Sequence, residues 1–252
     1  MRILISNDDG VHAPGLLALA AGFPGDEVWV VAPDREQSAT SHAISLHRPL
    51  RLHQVGERRF AVDGTPTDAV YMAVNHLMKG ARPQVVLSGV NHGPNLGNDV
   101  LYSGTVAAAM EGALLGFHSM AVSLAHIPAH DFSHAVAFAA ALVRRLVADP
   151  PPAPVLFNVN VPPGPIRGYR FARLGRRTYG NEVIEKVDPR GKRYYWIGGK
   201  GGHESVPHSD CDTVLDEGLV AVTPLHLEFT NDPMMADLRN WTLDGFRKEP
   251  AL

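Results

Sequence analysis

Cysteine is nearly missing from this chain: Cys211 stands alone among 252 residues. No intramolecular disulfide can form, a zinc site built on two or more thiolates is excluded, and a reducing compartment fits best. Long apolar runs are missing too. Residues 135–143 stop at Arg144-Arg145, well short of the ~20 residues that a bilayer crossing needs. Residues 1–6 are broken at once by Asn7, Asp8 and Asp9, which leaves too little for a secretory signal. A soluble, cytoplasmic protein without membrane contact is expected. Excess positive charge is also absent: the formal charge is −3, so the general attraction to polyanions that a nucleic-acid binder displays is lacking. Small substrates are favoured over nucleic acid.

What is present is 45% apolar residues in a chain of 252, enough for one large α/β domain that buries roughly three quarters of its unfolded surface. Residues 2–6 and 27–32, the stretch 83–90 with Val85-Val86-Leu87, and residues 120–124 read as strands, while 15–21 and 103–116 read as helices. Strand and helix in alternation imply crossover connections, and hence a mostly parallel, doubly wound sheet covered on both faces. A helix over 135–148 ends at Asp149-Pro150-Pro151-Pro152, where proline removes donors, and residues 155–161 resume a strand. The catalytic core is therefore placed at 1–163.

After Pro163 the texture changes. Within 164–252, the stretches 169–174, 182–187 and 192–197 suggest antiparallel strands, with Asp188-Pro189-Arg190-Gly191 turning between the last two. Tyr194, Tyr195 and Trp196 make this hairpin either a sheet edge with one packed face or an arm that meets another subunit. Residues 198–202, rich in glycine, are expected to be mobile, and 218–225 to form a final strand. Asp232-Pro233 is expected to place an N-cap and a first-turn proline ahead of a C-terminal helix through Trp241.

In open α/β sheets, ligands bind beyond the carboxyl ends of the strands, and four loops there are unusual. Asn7-Asp8-Asp9-Gly10 sets two adjacent carboxylates where a dinucleotide-binding fold has glycines; they repel a phosphate unless a cation lies between. One aspartate could instead cap the next helix. The loop Pro33-Asp34-Arg35-Glu36-Gln37-Ser38-Ala39-Thr40-Ser41-His42 carries hydroxyls suited to a hard cation, or simply a helix cap at Ser38. Ser88-Gly89-Val90-Asn91-His92-Gly93-Pro94-Asn95-Leu96-Gly97 can aim the amides of Asn91 and Asn95 at one point, or hold them in left-handed turns. Ser103-Gly104-Thr105 opens a helix and offers either an anion site or an ordinary cap. An all-oxygen donor set selects Mg²⁺, Mn²⁺ or Ca²⁺ over zinc. His203, His208, Asp210 and Asp212 are read as a solvated loop, with a second metal site as the lesser alternative.

These motifs, together with Gly64-Thr65-Pro66-Thr67-Asp68 and Val106, resemble the SurE family of stationary-phase survival proteins from Met1 nearly to the C-terminus. The resemblance implies a Rossmann-like core and a nucleotidase that uses one divalent cation per subunit. Its expected substrates are nucleoside 5′- and 3′-monophosphates, and in some members short polyphosphate. By the family's pattern the metal ligands map to Asp8, Asp9, Ser38 and Asn91, and phosphate falls at Asn95, Ser103, Gly104 and Thr105. A homodimer through an exchanged C-terminal segment, or a homotetramer through a hairpin such as 182–197, is implied as well. Two positions depart from the pattern: Ser41 stands where glycine is common, and Ala69 where cysteine is.

Chemically, a cation-activated water attacking phosphorus is expected, with Asp8 or Asp9 orienting or deprotonating it. An aspartyl-phosphate intermediate is disfavoured, since families of that kind place their acids two residues apart. A nucleotide-binding regulator without catalysis, and a nucleic-acid binder using Arg170, Arg173, Arg176 and Arg177, remain as alternatives from other classes.

Overall fold

The computed structural model describes residues 1–126, 131–180, 182–198 and 201–247. Chain order runs β1 (Arg2–Ser6), α1 (Pro14–Ala21), β2 (Glu27–Pro33), β3 (Leu52–Gly56), β4 (Arg59–Val62), α2 (Pro66–Met72), β5 (Val85–His92), α3 (Gly104–Leu114), β6 (His118–Leu124), α4 (Ser133–Ala148) and β7 (Leu156–Val161). It continues through β8 (Tyr169–Phe171), β9 (Arg176–Tyr179), β10 (Glu182–Val187), β11 (Arg193–Gly198), β12 (Gly201–Glu204), β13 (Val220–Leu225) and α5 (Asp232–Asp237).

Among the described residues nine strands form one sheet, in the order β3-β4-β2-β1-β5-β6-β7-β13-β8. β1 runs parallel to both β2 and β5, so it is paired on both edges. Side chains alternate across it: Ile3 and Ile5 join a core with Leu16 and Leu19 of α1 and Ala135 and Ala139 of α4, whereas Leu4 joins one with Ala69 and Val70 of α2 and Ala108 of α3. α3 sits close on the sheet because its inner face is small. Ala107, Ala108 and Ala109 are buried, and a Cβ on Gly112 would lie 2.8 Å from Val86 Cβ.

The second half of the chain shares this sheet, with β13 and β8 in its last two positions. β8 departs from expectation: residues 169–174 were read as antiparallel, but Tyr169–Phe171 pairs parallel with β13, and it is β13 that runs antiparallel to β7. β10 and β11 form the expected antiparallel hairpin around Asp188–Gly191, exposed along almost its whole length, with Ile197 94% exposed. Gly201 and Gly202 are not a free tether but pair in β12 with β9; residues 199 and 200 of the glycine-rich stretch lie outside the described residues. The last helix is capped one residue earlier than expected, Asn231 accepting from Met234 N at 3.0 Å, with Asp232 in its first turn. Among the described residues no helix is long and apolar enough to cross a membrane.

Candidate active site

The chain moves from β1 to β2 on one side and to β5 on the other, so the carboxyl ends of these three strands open the crevice where ligands bind in such sheets. Asp8 and Asp9 follow β1, residues 34–42 follow β2, and Asn91 and His92 close β5. Asn7 folds the first loop tightly: its Oδ1 accepts from Gly10 N at 3.2 Å and its Nδ2 donates to Gly10 O at 3.1 Å. Gln37 N donates to Asp8 O at 2.8 Å and tethers the second loop to the first. Neither acid caps α1, whose N-cap is Ala13 without a side-chain bond. Ser38 caps no helix either; its hydroxyl donates to Glu36 Oε1 at 2.8 Å.

A cavity of about 560 Å³ gathers Asp8, Asp9, Ser38, Asn91, Asn95 and Ser103, six of the eight residues singled out in the sequence. Gly104 and Thr105 stand behind it. A Cβ on Gly104 would lie 2.7 Å from Asp8 Cβ, so only glycine lets the first turn of α3 close on that acid. Thr105 is fully buried, and both its hydroxyl and its backbone amide donate to Asp8. The helix N-terminus expected to cradle phosphate is thus occupied by the protein's own carboxylate, a suitable guest for the same dipolar reason. Ser103 caps α3 by accepting from Val106 N at 3.1 Å, which leaves its hydroxyl proton for a ligand.

Electrostatically the site is under load. Burial is the main force pushing Asp8 up from 3.8 to about 6; the bond from Thr105 opposes it and the charge of Asp9 adds to it. Burial likewise pushes Asp9 up to about 6, with Glu36 adding repulsion. Asp9 Oδ2 is buried and has no hydrogen-bond partner among the described residues. Thr105 Oγ1 also lies 3.2 Å from Asn91 Oδ1, but its one proton serves only one acceptor. Asn91 is oriented by donating Nδ2 to Gly93 O at 2.8 Å, which turns its carbonyl oxygen toward Asp8 and Thr105. An unpartnered buried carboxylate oxygen and a converging amide oxygen form an electron-rich pocket that suits a hard divalent cation.

Asn95 is held from four directions. Its N donates to Asn160 Oδ1 at 2.8 Å, its O accepts from Asn158 and Asn160, and its Nδ2 donates to Ser123 Oγ at 2.9 Å. Neighbouring Gly97 and Gly93 adopt positive φ, whereas Asn91 and Asn95 do not, so the left-handed reading of these asparagines fails. Ser41 does have φ 52 and Ala39 φ 58, so the position where glycine is common is left-handed here and occupied by a residue with a Cβ.

The sequence reading missed Glu36, His92, Asp99, Tyr102 and Tyr179, all of which line the cavity. His92 packs on Phe132 with ring centroids 4.9 Å apart, and burial lowers its pKa. Glu36, His92 and Asp99 sit inside or beside the motifs already noted and were legible as neighbours. Tyr179 arrives from β9, and no local signal marks it. The cluster read as a solvated loop is partly buried: Asp210 has no exposed surface and Asp212 little. His203, Asp212 and Asp216 bring their ligand atoms within 4.8 Å of one another, but His203 Nε2 already meets Asp216 Oδ2 at 3.0 Å and none of the three lines the cavity.

A family model described as "Survival protein SurE" matches residues 3–181. Relatives from several bacterial genera carry the name "5'-nucleotidase SurE". The one from Anaeromyxobacter sp. (strain Fw109-5) is 72% identical, covering 100% of both chains. The one from Myxococcus xanthus is 56% identical, covering 99% of this chain and 97% of the relative. Among solved structures, the SurE protein from Aquifex aeolicus aligns at a TM-score of 0.83 and 35% identity, covering 95% of this chain and 98% of that one.

Proposed function

The chain belongs to the SurE family, and from that membership we infer that it is a phosphomonoesterase, a nucleotidase that releases phosphate from nucleoside 5′-monophosphates. The observation that carries its mechanism is the doubled acid at the end of β1, Asp8 and Asp9, both pushed up to about 6 with Asp9 Oδ2 unpartnered. Asp8, Asp9, Ser38 and Asn91 are the residues that would hold a divalent cation. When bound, such a cation neutralises charge on the phosphate oxygens and acidifies water.

The rest falls to the side chains. Ser103, through its free hydroxyl proton, and Asn95, through its remaining amide hydrogen, bind the phosphate oxygens and fix the ester in line with water. Thr105 and Gly104 act through Asp8, which they hold in place. Asp9, which lines the cavity, orients the attacking water. As the water oxygen bonds to phosphorus the phosphorus–oxygen ester bond breaks, and the proton the water gives up passes through solvent to the departing oxygen, so the nucleoside leaves as an alcohol with inorganic phosphate as the other product. 3′-Monophosphates and short polyphosphate are proposed as further substrates, since the cavity is open and its acids address only the phosphate. A cytoplasmic location accords with the lone, buried Cys211.

The test is phosphate release from a panel of nucleoside monophosphates and tripolyphosphate, first in chelator and then with Mg²⁺, Mn²⁺ or Ca²⁺ restored. Release is expected to stop in chelator and return with a cation. Full activity in metal-free protein would remove the mechanism, and ligand binding without any release would favour a non-catalytic regulator.

A further inference from the structure

The cavity walls nearest Asp8 and Asp9 are mostly carboxylates, amides and hydroxyls, groups that address a phosphate and a cation. Three lining side chains carry aromatic rings, and one of them, His92, packs on Phe132 with centroids 4.9 Å apart; the other two are exposed. Tyr102, between the short helical turn Gly97–Leu101 and Ser103, is 63% exposed, and Tyr179, at the end of β9, is 50% exposed. Both line the cavity. We propose that Tyr102 and Tyr179 form the wall on which the substrate's base stacks, making them the specificity-determining residues for a nucleoside over a plain phosphate ester. This rests on the nucleotidase reading above.

Tyr179 is preorganised for the task. Its hydroxyl donates to Asp99 Oδ2 at 2.5 Å, and the Arg177 guanidinium lies over its ring, 5.5 Å from the centroid, while also pairing with Asp99 at 3.3 Å. The strand that carries it is fastened to the phosphate side of the cavity. Asp210, fully buried, accepts from Gly97 N at 2.8 Å with one oxygen and from Gly175 N at 2.7 Å with the other. Arg177 N donates to Asn98 Oδ1 at 2.8 Å. Gly97, at φ 54, lets the two segments touch, for a Cβ there would lie 2.7 Å from Gly175 O. Tyr179 therefore stands at a fixed distance from Asn95, two residues before Gly97. Tyr102 is placed by its own neighbour, since Ser103 caps α3, and its carbonyl accepts from Ser41 N at 3.2 Å.

Rigid, exposed rings bind bases at little entropic cost, and they tolerate different bases because every base has a π-face. The cavity, at about 560 Å³, is of the size that holds a small ligand. A base on this wall leaves the phosphate to reach Asn95 and Ser103, and a substrate without a base makes no use of it.

The experiment compares wild type, Tyr102→Ala, Tyr179→Ala and Tyr179→Phe as full chains with a divalent cation, using AMP and ribose 5-phosphate. Each alanine variant is expected to lower kcat/KM for AMP by about tenfold, chiefly through KM, and to leave ribose 5-phosphate within about twofold. Tyr179→Phe keeps the ring and should retain most activity on AMP. Equal losses on both substrates, or no loss on either, would overturn the wall. Calorimetric titration with the same two ligands separates it from the reading beneath it. Tighter binding of AMP that vanishes in the alanine variants, without turnover in wild type, refutes the nucleotidase and upholds the wall; equal affinity of wild type for both ligands refutes the wall.

Discussion

Replacing Asp8 by asparagine should destroy turnover and yet make the metal-free protein more stable above neutrality. In the fold Asp8 is pushed from 3.8 up to about 6, chiefly by burial. A raised carboxylate means that the folded state holds a proton the unfolded state has already released, so stability falls as pH climbs through that interval and the full penalty is present above pH 6. A rise of that size corresponds to at most about 3 kcal/mol, part of which is shared with Asp9. Asparagine is nearly isosteric, still accepts from Thr105, and carries no charge to desolvate. In chelator at pH 8 the variant should melt up to about 10 °C above wild type, given roughly 2–4 °C per kcal/mol for a domain of this size. Near pH 4 the two should coincide. Adding a divalent cation at about a hundred times its dissociation constant should raise wild type by about 2.7 kcal/mol and leave the variant nearly unmoved. Thermal melts over pH, with and without cation, supply the whole comparison. A variant that melts at or below wild type at pH 8 in chelator, or a gap that ignores pH, would refute the claim that burial loads this acid.

Two further outcomes follow from geometry. Gly104→Ala sets a methyl group 2.7 Å from Asp8 Cβ; it should lose about 1–3 kcal/mol by overpacking and weaken cation affinity, read by urea unfolding and metal titration, and an unchanged midpoint would show that α3 can give way. We propose that the exposed hairpin β10–β11, whose Val183, Trp196 and Ile197 face solvent, joins subunits; removing it should lower the mass seen in light scattering, whereas an unaltered mass would assign assembly elsewhere.

Where the residues themselves carry the cause, the fold was legible. β1, β2, β5, β6 and β7 are mostly apolar runs buried along most of their length, and the prolines at 150–152 end α4 as their missing donors require. β3 and β4 went unread because both strands are short and pair at the sheet's edge, where polar residues such as His53 and Gln54 are accepted. The direction of β8 is decided by its partner β13, some fifty residues later, and no periodicity within residues 169–174 encodes it. The site divides the same way. Asp8, Asp9, Asn91 and Ser103 follow strands or open a helix, and position rules bring them together. Thr105 is marked by its place at the start of a helix, but its bond to Asp8 joins residues 97 positions apart and is visible only in the folded chain. Tyr179 depends on β9 folding back 80 residues onto Asp99, a contact that only the folded chain makes.

The closeness of Gly104 to Asp8 also limits where this enzyme can be redesigned. With no volume to spare between α3 and the acid it holds, side chains cannot be enlarged from the helix direction without displacing that carboxylate. New substrate scope has to be engineered away from that contact, through the tyrosine brought in by β9. Libraries confined to that strand would leave Asp8, Asp9, Ser38 and Asn91 unchanged.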